Sequence, residues 1–275
     1  MKQRIALAYS GSLASSAALA WLRERHDAAV VAVTLDVGQS DDLDDVRSRA
    51  LAGGALRAHV VDAREVFAQN YAVPALRTGV AGMALHELAD PLIARALVDV
   101  AQIEAADAVA HAASSDERGA QLSGQIAVLD PSLRVLAPAH EWTMDAAQLA
   151  AFSRERGLPV VAGRPESNLL IRSASDPARA PEGAAHLDLD FAGGLPVAIN
   201  GVTMTPAELI ESLSLIGGQY GLGFGEVTPS PAAIILGAAF RDAASGNDSV
   251  RVTLERGSYR VTAVRTHDSQ LVNHP

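Results

Sequence analysis

Apolar and polar positions alternate in blocks along the first half of the chain. Short apolar runs at 4–9, 29–35, 57–62, 107–111 and 133–136 have the length and β-branched content of buried strands. The segments between them, 14–25, 41–53, 64–70 and 88–104, carry apolar residues at helical spacing. A further helix from Thr143 to Arg156 starts near Thr143 or Asp145. Alternation of this kind predicts a doubly wound parallel sheet with helices on both faces and ligands at the carboxyl ends of its strands. Ser10-Gly11, Asp36-Val37 and the residues after His111 therefore meet along one edge. The first domain is expected to span 1–163.

The texture then changes. Residues 164–183 are rich in Pro, Ala, Ser and Arg and read as a linker. Leu187 to Phe191 alternates like a strand, Gly193-Gly194 suits a hairpin, and Pro196 to Asn200 answers as its partner. Thr205 and Pro206 open a helix that Gly217-Gly218 is expected to close near Ile216. Ala232 to Asp242 is apolar enough for a buried helix, and 249–255 with 259–265 form a last hairpin. Residues 164–275 thus predict a second, smaller α+β domain.

Composition narrows the chemistry. A 49% hydrophobic content is ample for a packed core, and the absence of cysteine excludes disulfides, thiolate nucleophiles and sulfur-ligated metals. A formal charge of −10 argues against nucleic acid as partner, and no run is long enough to span a membrane. Met1 leads within a few residues into the first strand, so a cytoplasmic protein is expected. Lys2 is the only lysine, which leaves cationic work to arginine. The histidines show no zinc-ligand spacing, and Ser10-Gly11-Ser12 is not a hydrolase elbow.

The most informative stretch is Ile5 to Ser16, an apolar strand that runs through a small-residue turn into a helix. Backbone N–H groups of such a turn, at the positive end of the helix, hold an anion without any charged side chain. Leu13-Ala14-Ser15-Ser16 adds neither a lysine for phosphates nor an aspartate for a metal.

Ala8 to Ser16 resembles the pyrophosphatase loop of the argininosuccinate synthases, Ala-Tyr-Ser-Gly-Gly-Leu-Asp-Thr-Ser, with Ser12, Ala14 and Ser15 in place of Gly, Asp and Thr. Val31 to Gln39, Val60 to Glu65, Ala106 to His111, Leu133 to Pro138, Asn168-Leu169 with Arg172-Ser173, and Ile216 to Gly218 follow in family order, so the resemblance covers nearly the whole chain. It implies a pyrophosphatase-loop nucleotide domain with ATP as cofactor. Ala8, Tyr9, Ser10, Gly11, Ser12, Ser15 and Ser16, with Thr34, Asp36 and His111, would line the nucleotide. Arg118, Asn168, Arg172 and Ser173 would line the amino-acid substrates. No catalytic residue and no metal ligand is assigned.

Departures from the family pattern fall where ligands should be held. Ala14 removes the loop carboxylate, which leaves magnesium poorly served and weakens or abolishes ATP binding. Asp90, just before Pro91-Leu-Ile-Ala94, replaces an Arg and turns a carboxylate clamp into a repeller; His86 stands near a substrate-binding Thr. Ala112 to Ser123 replaces a Gly-rich segment that carries Lys, Asn, Asp and Arg, and reads as a polar loop. Thr228-Pro229 replaces Tyr-Glu. The first expectation is therefore a family member that has lost citrulline–aspartate ligation and serves as a nucleotide-binding scaffold or non-catalytic partner. An alternative is a diverged ATP-dependent, adenylating carbon–nitrogen ligase for another amino-acid-like substrate, with Arg118 or Arg172 as clamp and Asp36 or Asp116 for a metal. Retained argininosuccinate synthesis ranks third. The family's C-terminal exchanged helix has no counterpart past Val272, so a homodimer or a complex with a second protein is expected rather than a tetramer.

Overall fold

The computed structural model describes residues 2–39, 42–79, 88–113, 115–159, 174–224, 230–244 and 246–263, and their contacts divide into two units. In the first, β1 (Arg4–Ala8) leads into α1 (Leu13–His26), β2 (Ala29–Asp36), α2 (Leu43–Ala52) and β3 (Arg57–Asp62). The chain then contributes α3 (Arg64–Phe67), a π-helical turn over Ala68–Ala72 and α4 (Val73–Arg77) to the second unit. It returns with α5 (Asp90–Ile103), β4 (Ala108–Ala110), α6 (Asp116–Leu129), β5 (Arg134–Leu136), α7 (Pro138–Glu141) and α8 (Ala146–Glu155).

The strands of this unit pair in parallel in the order β3-β2-β1-β4-β5, with Ala8 opposite Val33 and Leu7 opposite Ala110. This is the doubly wound sheet that the alternation predicts. Its inner strands β1, β2 and β4 are apolar on both faces because both faces are covered. Ile5, Leu7, Val30 and Ala32 pack in one cluster with Leu19 and Leu22 of α1. Ala6, Val31, Val33 and Val109 pack in another with Leu97 of α5 and Ile126 of α6.

Two expectations about this half need correction. Residues 116–129, read in part as a polar loop, form α6: the Ser115 hydroxyl accepts from the Arg118 N–H at 3.3 Å and caps the helix. Its buried stripe is Gly119, Leu122 and Ile126. Glycine and serine dilute that stripe below what a periodicity reading detects. Residues 64–79 were expected in the first domain, but their contacts join them to the second unit.

The second unit carries an antiparallel sheet of β6 (Ala185–Ala192), β7 (Leu195–Ile199) and β8 (Val202–Thr203). After α9 (Pro206–Gln219) and α10 (Pro231–Ala243), β9 (Ser249–Glu255) and β10 (Ser258–Ala263) complete it in the order β10-β9-β6-β7-β8. Gly193 and Gly194, at φ 60° and 76°, make the expected hairpin turn. Thr205 and Glu208 form a capping box at the start of α9. Gly217-Gly218 does not close that helix, which continues to Gln219. A Cβ on Gly217 would sit 2.8 Å from Pro231 Cβ, so the glycine serves the close approach of α9 to α10.

At the edge of the parallel sheet where its strands begin, the buried Glu104 carboxylate gathers cations. Arg57 Nη1 donates to both its oxygens at 3.0 Å, His59 Nε2 donates to Oε1 at 2.8 Å, and Arg4 lies 3.7 Å away while donating to the Glu104 carbonyl. Burial alone would raise this carboxyl, but hydrogen bonds from His59 and Arg57 outweigh it and hold it below its usual range. A carboxyl depressed in the folded state stabilises above its unfolded pKa and loses that contribution as pH falls through the folded one. Urea midpoints should therefore drop as pH is lowered below about 4.5. Glu104→Gln should cost about 1–3 kcal/mol at pH 7 and flatten that part of the profile.

Candidate functional site at the carboxyl edge of the parallel sheet

Between β1 and α1 the chain turns at Gly11, whose φ of 73° is a backbone conformation that glycine adopts without strain. Ser12 follows at φ −68° and ψ 165°, extended, and serves as N-cap by accepting from the Ser15 N–H at 3.3 Å. A serine in the place of the family's second glycine therefore costs the backbone nothing and gains a cap. The Ser10 hydroxyl donates to Ser12 Oγ at 3.0 Å and Ser12 Oγ donates to Ser15 Oγ at 3.2 Å. Ser10 is exposed, Ser15 and Ser16 are buried, and the result is a shell of hydroxyls over the first turn of α1. Backbone donors and the dipole of a helix of this length favour an anion there.

Other residues expected to line the nucleotide act as braces. Thr34 is buried and its hydroxyl donates to the Tyr9 carbonyl at 2.8 Å. Tyr9 is itself buried; its hydroxyl shares a hydrogen bond with Ser16 Oγ at 3.1 Å, and burial raises its pKa despite that bond and the nearby Arg49. Ala8 ends β1 and Asp36 ends β2, half-buried, on the edge the sequence predicts. Arg49, unnoticed in the sequence, donates from Nη1 to the Gly11 carbonyl at 2.8 Å. Its signal was the spacing of Val46, Arg49 and Ala50, which places an arginine on the inner face of α2.

His111 follows β4, and its Nε2 pairs with Ser123 Oγ of α6 at 2.9 Å, whereas its buried Nδ1 has no hydrogen-bond partner. Burial first, then the charge of His140, depress its pKa to about 4; Arg118 adds to this and Asp90 opposes it. Arg118 is bound to Asp90 in a two-point ion pair: Nε to Oδ2 at 3.0 Å and Nη2 to Oδ1 at 2.8 Å. Asp90 is 1% exposed. The carboxylate expected to repel a substrate is thus neutralised inside the protein by the arginine expected to bind one. Asp116, offered as a metal ligand, is exposed and takes His140 Nδ1 at 3.0 Å. Asn168, Arg172 and Ser173, like His86, Thr228 and Pro229, lie outside the described residues.

The turn offers hydroxyls and backbone donors without a carboxylate, and among the described residues no group of His, Asp or Glu gathers to hold a metal. That donor set does not fit a protein-held magnesium ion. Also among the described residues, no helix is long and apolar enough to cross a membrane.

Parallel sheet, small-residue turn and capped helix together define a nucleotide-binding α/β domain of the pyrophosphatase-loop kind. Residues 4–159 match the model of the argininosuccinate synthase N-terminal HUP domain, and residues 144–228 match that of the family's C-terminal domain. The chain is 37% identical over 256 residues to the argininosuccinate synthase of Nitratidesulfovibrio vulgaris strain Hildenborough, with 80% of this chain and 63% of that protein covered. It is 34% identical to the enzyme of that name from Streptococcus suis strain 05ZYH33, covering 81% and 63%. For that of Streptococcus agalactiae strain 2603 V/R the figures are 32%, 88% and 71%. This chain belongs to the argininosuccinate synthase family. It spans about 63% of the length of the first two of these relatives.

The depressed pKa of His111 has a sign that can be checked. The unfolded chain takes up this proton near pH 6.5, the folded one near 4, so acidification between those values favours unfolding. Two-dimensional NMR should show His111 neutral at pH 5.5, and His111→Asn should make the loss of stability between pH 6.5 and 4 shallower.

Proposed function

We propose that this chain holds the phosphates of a nucleotide, with ATP the candidate, on the Ser10–Ser16 turn and does not carry out the citrulline–aspartate ligation of its family. The observation that carries the second half is the Asp90–Arg118 pair. A clamp for a substrate carboxylate needs an arginine whose parallel donors aim at the ligand. Here those donors are committed to a buried carboxylate. Drawing Arg118 away would strand Asp90, and breaking such a pair costs about 3–5 kcal/mol. A substrate would have to supply that before gaining anything.

The first half rests on the turn. Gly11 gives the backbone its direction, Ser12 caps α1, and the serine hydroxyls stand around a helix N-terminus suited to phosphate oxygens. Family membership adds ATP as the natural nucleotide to test. The same turn also favours a second reading, an adenylating carbon–nitrogen ligase for another amino-acid-like substrate. Such an enzyme would release pyrophosphate from the turn, with magnesium held by the nucleotide rather than by the loop.

Calorimetry with pyrophosphate and ATP, combined with mass spectrometry of reactions holding citrulline, aspartate and magnesium ATP, tests both halves. Wild type should bind both anions, the Ser10→Ala/Gly11→Val double variant should bind them at least about tenfold more weakly, and no argininosuccinate should form. Product made by wild type and not by the double variant would show that ligation survives. Absence of binding would remove the nucleotide reading, and pyrophosphate release with another amino acid would establish the second.

A further inference from the structure

Arg49 is a buried cation set against the turn, and nothing said above of ligand binding uses it. It sits on the inner face of α2 and is only 7% exposed. A guanidinium at that depth needs acceptors for its donors. Nε donates to Asp45 Oδ2, one helical turn earlier, at 2.9 Å, and Nη1 donates to the Gly11 carbonyl at 2.8 Å. Nη2 is buried and has no hydrogen-bond partner. A Cβ built on Gly11 would lie 2.8 Å from Nη1 and 3.0 Å from Nη2, so the guanidinium touches the turn along its outer edge.

Two effects follow. A trans peptide directs its N–H opposite to its C=O. With the Gly11 carbonyl drawn towards Arg49, the Ser12 N–H is turned to the other side, where it donates weakly to Ser10 Oγ at 3.4 Å among the loop hydroxyls. The second effect is charge. The Asp45 side chain is 52% exposed, while that of Arg49 is 8% exposed. Water screens the carboxylate more than the guanidinium, so Asp45 does not fully cancel the charge that Arg49 brings to the turn.

From this we infer that Arg49 is the cation of the turn: a positioning residue that fixes the Gly11–Ser12 peptide and lends its charge, from behind that peptide, to pyrophosphate or to the terminal phosphates of a nucleotide. The inference rests on the nucleotide reading proposed above. It gives a turn that lacks both lysine and metal carboxylate its own counter-charge, delivered from beneath by the neighbouring helix.

The test is calorimetric titration of pyrophosphate into wild type, Arg49→Gln and Arg49→Lys at low and moderate salt. Arg49→Gln should bind about tenfold more weakly or worse and show a shallower dependence on salt. Arg49→Lys, which keeps the charge without the fork, should fall between the two. Equal affinity and equal salt dependence in Arg49→Gln would overturn the role of Arg49 while the turn kept its ligand. Failure of wild type to bind pyrophosphate would overturn the nucleotide reading and this inference together. Should the variants not fold, wild type still decides: the Arg49 Nε–H signal must move with the amides of residues 11–16 as pyrophosphate is added, and amide shifts without it would refute the inference.

Discussion

The first unit depends on a reversal of chain direction between Ala8 and Leu13, achieved by holding Gly11 at φ 73°. No residue with a side chain takes that conformation cheaply, and a side chain there would also collide with Arg49. Once Gly11 is placed, the neighbours are fixed in turn. Thr34 secures the Tyr9 carbonyl, Arg49 secures that of Gly11, and Ser12 caps the helix. Each bond satisfies a backbone group that the sharp turn would otherwise leave unmatched. Bracing of this kind leaves the serine hydroxyls of the turn clustered over the first turn of α1.

Asp90 and Arg118 illustrate how a buried charge constrains evolution of a site. A carboxylate in the first turn of α5 is favoured by the helix dipole, but at 1% exposure it cannot stand alone. Arg118 in the first turn of α6 meets that need, at the end of its own helix where a cation is least favoured. The electrostatic cost of that placement is offset by the two-point pair, so the two residues stabilise each other. In this structure the guanidinium belongs to the packing of α6 against α5.

Much of this architecture was legible in the chain. Strands buried on both faces announce themselves as continuous apolar runs, which is why β1 and β2 fall within a residue of their expected bounds. The turn at Gly11 was legible because small residues are needed there. α6 was not, since its buried stripe holds only Leu122 and Ile126 beside a glycine; a Cβ on Gly119 would lie 2.5 Å from His140 Nε2, a packing constraint between segments that no local pattern records. Gly217 misled for the same reason, as a helix-closing signal that turned out to be a helix-contact residue. The pairing of Asp90 with Arg118 spans 28 positions, and that of Arg49 with Gly11 spans 38. Charges in a sequence can be counted, but which charge answers which is decided by the fold.

The two edges of the parallel sheet differ in how they use their polar atoms. Where the strands begin, Glu104 binds Arg57 and His59, with Arg4 nearby, and both carboxylate oxygens are taken. At the carboxyl edge, His111 Nδ1 and Arg49 Nη2 are buried without partners, while other such atoms, among them Ser153 Oγ and His26 Nε2, lie on α8 and at the end of α1. An unsatisfied buried donor or acceptor costs about 1–3 kcal/mol. Helical packing accounts for a lone serine hydroxyl, but a guanidinium is harder to excuse. Its Nη2 could be satisfied by moving outward to water, yet the bonds to Gly11 and Asp45 hold it in place. An aliphatic side chain could fill the same space, but it would take the donor away from the Gly11 carbonyl, so the guanidinium is kept at that cost by the turn it braces.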